Sequence, residues 1–427
     1  MMAVAVLFGV FVVLLLIGVP VAFALAASSI ATVMYLGLPT LVVVQQTASG
    51  ASVATLIAIP LFIFAGEMMM RGGISDRLIA LASSLVGRMR GGLGQINVVS
   101  SLFFGGVSGS AIADVSAIGG TMIPQMISRG YDRDFAVSVT VSAAIVALLV
   151  PPSHNLILYS ASAGGGISIA DLFAAGIVPA LLLTVVLMIT GGIMARRRNY
   201  GMEPFPGIRA VLSRFFAALP GLLLVGVIFG GIRAGVFTAV ESAAIAVVYA
   251  VLITAILYRK LSFANFVAAC SGAVRTTGLI LFVIGAAASF GWLLAYLEVP
   301  TAAVQLLTGM TSDKNAVLLL MIVMLLILGT FMDLAPLIII CTPIFLPVAK
   351  AIGVNPVHFG VILILKGGLG LITPPIGSVL FVGTAIGRIS IGDTLRTIWP
   401  FYLAVLAVLL VVAFVPQLSL WLPAVLK

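Results

Sequence analysis

Charge is what this sequence has least of. Only 8% of its 427 residues are Asp, Glu, Lys or Arg, against roughly 25% in soluble domains. So few ionisable groups cannot cover the water-facing surface of a chain this long, which excludes a cytosolic enzyme, a nucleic-acid binder and a secreted module. Cysteine is almost absent too. Cys270 and Cys341 lie in separate apolar runs, with no spacing for a disulfide framework or a metal site, and read as small buried hydrophobes. No metal, nucleotide or haem motif is present, and without a Walker sequence ATP is not the energy source. The apolar start, Met1 to Tyr35, lacks a basic region ahead of it and is too long for a signal peptide. It reads as mature helix.

What fills the sequence is apolar. Hydrophobic residues make up 62% of it and the mean hydropathy is +1.33. The 45 glycines suit transmembrane helices that pack closely or break. The chain is predicted to be an all-α polytopic membrane protein. Its net charge of +9 then reports basic cytoplasmic loops.

Stretches long enough to span a bilayer, about 20 residues, run over 3–36, 51–70, 132–165, 171–195, 213–231, 236–258, 272–297, 355–388 and 394–423. The first is too long for one ordinary span, and Gly18-Val19-Pro20 marks a turn between two short helices. Amphipathic arms are predicted at 74–90 and 299–311, and hairpins interrupted by small and polar residues at 95–128 and 315–350.

An internal repeat organises these pieces. VPPSHNLILYSASAGGGISIAD (150–171) matches TPPIGSVLFVGTAIGRISIGD (373–393), with one extra residue in the first copy. Pro124 and Gly130 match Pro347 and Gly353 at an offset of 223, while Phe135 and Phe359 differ by 224 and Asp171 and Asp393 by 222. A collinear series at nearly one offset predicts a duplication: a first repeat over 1–198, with broken helix 132–165, a linker over 199–212, and a second repeat over 213–427, with broken helix 355–388. The basic run Arg196-Arg197-Arg198 with Arg209 and Arg214 places the linker in the cytoplasm. Tyr258-Arg259-Lys260 must lie on the same side two spans later. Each half then crosses an odd number of times, so the repeats are inverted and both termini are outside.

Inverted repeats with broken helices point to a transporter whose site lies near the bilayer midplane. Each Pro-Pro pair, Pro151-Pro152 and Pro374-Pro375, removes two N–H donors. That frees carbonyls of the preceding turn as cation ligands, while the next half-helix offers its positive N-terminus to an anion. The turn residues Val150, Pro151 and Ser153, and Thr373 and Pro374, are therefore site candidates. GGVSGSAIADVSAIGG (105–120) and GTFMDLAP (329–336) are too rich in small polar residues to face lipid. Ser108, Gly109 and Ser110 supply hydroxyls and free carbonyls at the first tip, Gly329 and Thr330 at the second. Asp114 and Asp333 lie just beyond the tips. A carboxylate there costs about 2.5–3.5 kcal/mol, so each needs a partner and either binds an ion or caps a helix. His154 follows the first Pro-Pro pair, either near substrate or as a satisfied helix-start histidine, and Glu241 reads as a polar anchor at a helix end.

FFGGVSGSAIADVSAIGGTMIPQM, IVALLVPPSHNLILY, GGIRAGVFTAVESAA, LGTFMDLAPLIIICTPIFLP and GLGLITPPIGSVLFVG together resemble the large membrane subunit of tripartite ATP-independent periplasmic (TRAP) transporters, over nearly the whole chain. The resemblance implies an elevator-type permease of ion-transporter-superfamily architecture, multi-pass in the bacterial inner membrane. It implies import of an organic acid, of the sugar-acid or dicarboxylate class, driven by Na⁺ as coupling ion. A small four-helix membrane subunit and a periplasmic substrate-binding protein would be the partners. Carried onto this chain, Na⁺ sites would involve Ser108, Gly109 and Ser110 with the carbonyls before Pro151, and Gly329 and Thr330 with Thr373 and Pro374. One position departs: the family usually has Asn where this chain has Lys366, in LILKGGLGLITPP. That lysine either joins the ion site, snorkels, or pairs with Asp333. The alternative function is a stand-alone ion-coupled carboxylate carrier of the same architecture. An intramembrane enzyme would need converging acids or a Ser–His–acid set, and none is seen.

Overall fold

The computed structural model describes residues 2–311 and 313–426. Among them the only regular structure is helical. In order the α-helices are α1 (Met2–Leu16), α2 (Val21–Tyr35), α3 (Leu41–Ala51), α4 (Ala58–Arg71), α5 (Ile74–Val86), α6 (Gly92–Ser108), α7 (Ala111–Asp114) and α8 (Gly120–Ser128). Then follow α9 (Arg133–Ala143), α10 (His154–Ser162), α11 (Ile169–Arg197), α12 (Ile208–Arg233), α13 (Ala239–Leu252), α14 (Phe263–Tyr296) and α15 (Val299–Met310). The chain ends with α16 (Lys314–Thr330), α17 (Leu334–Ala351), α18 (Pro356–Leu371), α19 (Ser378–Gly387), α20 (Ile391–Phe414) and α21 (Gln417–Val425).

Side chains at the helix starts set several of these boundaries. Ser168 accepts from the Asp171 N–H at the head of α11, and Ser390 accepts from the Asp393 N–H at the head of α20. The two caps lie at matching places in the similar segments 150–171 and 373–393, each satisfying an orphan donor in the first turn. Thr238 and Glu241 cap α13 reciprocally, which gives Glu241 the anchoring place at a helix end read from the sequence.

Several boundaries differ from the sequence reading. The turn at Gly18-Val19-Pro20 does separate α1 from α2. Helix α3 went unanticipated because LVVVQQTASGA is too polar to look like a span. The linker is shorter than 199–212: α12 begins at Ile208, directly after Gly207 at φ 89°. The stretch 394–423 is not one helix, because Pro416 separates α20 from α21 and has no N–H to continue the ladder. Helix α14 starts at Phe263, nine residues ahead of the expected span, behind a Ser262 cap. Cys341 is buried as expected, whereas Cys270 is only partly so.

Two groups of helices emerge from the packing. Helices α3 and α4 lie against α14, α4 also against α13, and α12 against α5. The other group joins α6, α9, α10 and α11 with α16, α17, α18 and α20. Long helices of both halves show apolar faces outward, such as Leu181, Val185, Ile189 and Ile193 at four-residue spacing on α11, all exposed. Beside a bilayer such a stripe faces lipid. Among the described residues, seven helical segments are long and apolar enough to cross a membrane.

On the side bearing Arg196–Arg198, Arg198 locks the end of α11 to the start of α9. Its guanidinium donates to Asp134 at 2.8 and 2.9 Å and to Asp132 at 2.9 Å. The Tyr200 hydroxyl donates to Asp132 at 2.6 Å. Burial, then this carboxylate, push Tyr200 up to about 12, so it remains a donor at neutral pH.

Candidate functional site

Both broken helices stop where the sequence withdraws donors. In the first half α9 tightens into a 3₁₀ turn over Ala144–Leu148, and α10 restarts at His154. In the second, α18 ends at Leu371 and α19 starts at Ser378. At each break a hydroxyl answers a carbonyl of the turn before: Ser153 Oγ donates to Leu148 O and Thr373 Oγ1 to Leu369 O, both at 2.6 Å. Unpaired backbone at membrane depth must be met by protein or by a wet cavity, and these two candidates partly meet it.

The hairpin tips press onto the breaks. Gly109 ends α6 in the left-handed region at φ 59°, and a Cβ there would stand 2.5 Å from Pro152 O. Any larger residue would pry the tip off the Pro-Pro turn. In the second half a Cβ on Gly370 would lie 2.6 Å from Gly329 O, so α16 and α18 meet backbone to backbone. Upstream in the first half, Gly105 packs equally closely on Ala147, with Val150 beside it.

Bridging hydrogen bonds hold each tip. Asn155 Nδ2 donates to Gly109 O at 3.3 Å, and Ser378 Oγ donates to Asp333 Oδ1 at 3.2 Å. Ser110 caps α7 by accepting from the Ala113 N–H, and its own N–H donates to Ser108 Oγ, both at 3.4 Å. Thr330 Oγ1 turns back to Ile327 O at 2.7 Å.

The two tip carboxylates have different partners. Asp333 is the N-cap of α17, accepting from the Leu334 N–H at 2.9 Å. Asp114 is completely buried and accepts from Ser101 Oγ at 2.7 Å, a partner one arm away in the same hairpin. Lys366 is 0% exposed, so it does not snorkel, and among the described residues it makes no ion pair and its Nζ has no hydrogen-bond partner. The pairing of Lys366 with Asp333 is therefore corrected: the carboxylate is engaged at its own helix start and with Ser378.

Between the two helix groups lies a cavity of about 420 Å³. The first tip reaches it through Ser108 and Ser110, the second through Asp333, and α10 through His154 and Asn155, while Glu67 and Thr276 face them from α4 and α14. His154, the first residue of α10, thus sits on the cavity wall. Asp114 and Lys366 are not among its lining residues. Glu67 meets Arg71 at 3.4 Å and packs against α14 at Gly272, where a Cβ would stand 3.1 Å from the carboxyl carbon.

Sequence reasoning missed Asn155, Ser378, Ser101 and Glu67. A signal for the first pair was available, because Asn155 and Ser378 occupy corresponding places after the two Pro-Pro pairs, 223 residues apart. Ser101 and Glu67 sit in apolar helices, and only the packing shows what they meet.

This arrangement defines a membrane transporter. In fold the chain is similar to the YdaH transporter of Alcanivorax borkumensis, with a TM-score of 0.62 at 15% identity over 90% of this chain and 88% of that one. It is likewise similar to MtrF of Neisseria gonorrhoeae, with a TM-score of 0.53 at 15% identity over 87% and 83%. More particularly, residues 8–418 match the DctM component of tripartite ATP-independent periplasmic transporters, and the chain belongs to that family of large permease subunits. Among its relatives are the 2,3-diketo-L-gulonate TRAP transporter large permease of Escherichia coli, 34% identical over 94% of each chain, and the sialic acid TRAP transporter large permease of Vibrio cholerae, 35% identical over 89% and 88%. The C4-dicarboxylate TRAP transporter large permease of Pseudomonas aeruginosa is 36% identical over 86% of each. These relatives are permeases and not enzymes, and the chain is a multi-pass protein of the inner membrane.

Proposed function

We propose that this chain is the permease of a Na⁺-coupled importer of an organic acid, of the sugar-acid or dicarboxylate class, acting with a small membrane subunit and a periplasmic substrate-binding protein. The observation that carries the reading is the cavity to which both hairpin tips and the first broken helix contribute. Among the described residues its lining includes two carboxylates, Glu67 and Asp333, and no lysine or arginine. Glu67 is paired with Arg71, so an organic anion entering the cavity meets the like charge of Asp333. Cations bound at the tips offset that repulsion, and each Na⁺ moving down a 100 mV potential contributes about 2.3 kcal/mol. Relatives that carry 2,3-diketo-L-gulonate, sialic acid and C4-dicarboxylates in their names support an acid as cargo.

In this reading Ser108, Gly109 and Ser110 hold a cation in the first half, with the carbonyl of Val150 ahead of Pro151 and the turn at Ser153. Gly329, Thr330, Thr373 and Pro374 form the corresponding nest in the second. The two halves, 1–198 and 213–427, form inverted repeats. The helices around the two tips move as one body, an elevator, against α4 and α14.

The test is uptake into proteoliposomes holding this chain and the small subunit. A radiolabelled acid, identified by screening the binding protein, should accumulate only with that protein present and an inward Na⁺ gradient. Replacing Na⁺ by choline should abolish accumulation. Full uptake without the partners would favour the stand-alone carrier instead, and uptake indifferent to Na⁺ would remove the coupling.

A further inference from the structure

Lys366 is among the largest side chains buried completely in the protein. It lies on α18, one turn before Gly370, the residue that meets the backbone of Gly329. A Cβ added to Gly329 would collide with Lys366 Nζ. The ammonium therefore rests against the next-to-last residue of α16, at the end where helix carbonyls lack N–H partners and the macrodipole is negative. Beside it are apolar groups and backbone, with Leu337 also flanking Gly329, together with the buried thiol of Cys341. No carboxylate among the described residues lies within ion-pairing distance of Lys366. The corresponding position of the first half, Ala143 in the register of the Pro-Pro pairs and Ser142 in that of Phe135 and Phe359, is buried and uncharged in either case. A cation is thus built into one tip and not into the other.

We propose that the Lys366 ammonium is the cation of the second hairpin, a tethered charge occupying the place of a dissociable ion. This rests on the Na⁺-coupling reading above and narrows it. Only the first half, through Ser108 and Ser110, exchanges Na⁺ with solution. The nest formed by Gly329, Thr330 and Thr373 is served by the lysine. A covalently held charge crosses with the moving helices and returns with them, so it adds no ion to the net cycle. It still supplies, at the second tip, the positive charge that an acid facing Asp333 requires.

The experiment counts Na⁺ bound to the purified complex of this chain with its small subunit in nanodiscs, using ²²Na⁺ alone as probe and choline to hold ionic strength. Lys366→Asn and Lys366→Ser each remove the charge and leave an oxygen and space, so each should bind one more Na⁺ per chain than the parent. In the parent background, Ser110→Ala should lower Na⁺ affinity tenfold or more, while Thr373→Ala should leave count and affinity unchanged. Thr373→Ala added to Lys366→Asn should lose the extra ion. An unchanged count in both lysine variants overturns the assignment. So does a Thr373→Ala protein that binds fewer ions than the parent, an arm that decides the matter even if neither lysine variant folds. A parent that binds no Na⁺ at all overturns the coupling reading itself, a result distinct from the other two.

Discussion

Asn155 and Ser378 make the same kind of contact in the two halves of the chain: each stands in the first turn of the helix after a Pro-Pro pair and donates to the hairpin tip opposite, Asn155 to Gly109 O and Ser378 to Asp333 Oδ1. The tips are thereby fastened to the breaks, not merely packed beside them. Asn155→Ala should cost about 1 kcal/mol, the net worth of one buried hydrogen bond. Ser378→Ala should cost less, because Asp333 keeps its bond to the Leu334 N–H. Thermal unfolding of the two variants in nanodiscs would order them. The reverse order would mean that the second tip depends on its side-chain bond more than on its cap.

Gly329 and Gly370 test the close approach of α16 and α18. Gly329→Ala puts a methyl where Lys366 Nζ lies, while Gly370→Ala drives one toward the carbonyl of Gly329. Both should destabilise by about 1–3 kcal/mol, as overpacking does. Shortening the lysine should rescue only the first, so Gly329→Ala combined with Lys366→Ala should be more stable than the sum of its single effects. Gly370→Ala meets backbone, which cannot retreat, and should show no such rescue. Equal behaviour of the two glycines in this cycle would mean that the ammonium is not the obstacle at Gly329.

Asp114 separates structural from ionic roles. Its carboxylate is buried against Ser101 in the same hairpin. Asp114→Asn keeps an acceptor for that hydroxyl and should fold. Asp114→Leu leaves Ser101 unpaired and should lose about 1–3 kcal/mol. Chemical unfolding of both variants beside the parent measures this, and equal stability would remove Ser101 as the reason for the acid.

The lock at the end of α11 depends on a planar fork. Arg198→Lys keeps the charge and gives up the paired bonds to Asp134. It should recover only part of the loss seen in Arg198→Ala, about 1–2 kcal/mol for a partly exposed site. Scanning calorimetry or fluorescence-monitored unfolding would read both.

Ser128 and Lys350, exposed residues ending α8 and ending α17 short of its last position, report the topology. In the inverted layout Ser128→Cys reacts with an impermeant thiol reagent from the cytoplasm and Lys350→Cys from outside. Reaction of both from one side would remove the inversion.

Much of the fold was legible because a bilayer leaves few choices. Backbone groups in lipid must bond within their own segment, so apolar runs of sufficient length become helices. The Pro-Pro pairs that withdraw donors from two such runs mark the breaks whatever surrounds them. Composition also marked the tips, since Gly105–Ser110 and Gly329–Thr330 are unsuited to lipid. Boundaries that hinge on one residue were less visible: Pro416 divides a stretch that reads as a single span, and Gly207 lets α12 begin inside the expected linker.

The sequence by itself determined the solvent of this protein, its helical elements and the two sites of breakage, because these follow from local chemistry along one chain. Which groups meet was decided only by the tertiary structure. Asp333 turned to its own helix start and to Ser378 and Asp114 to Ser101, while Lys366 lies packed against Gly329 with its Nζ unpartnered. A buried carboxylate needs a donor, but the sequence names only the need. The partner is whatever close packing brings within about 3 Å, and that is set by how helices remote in the chain cross.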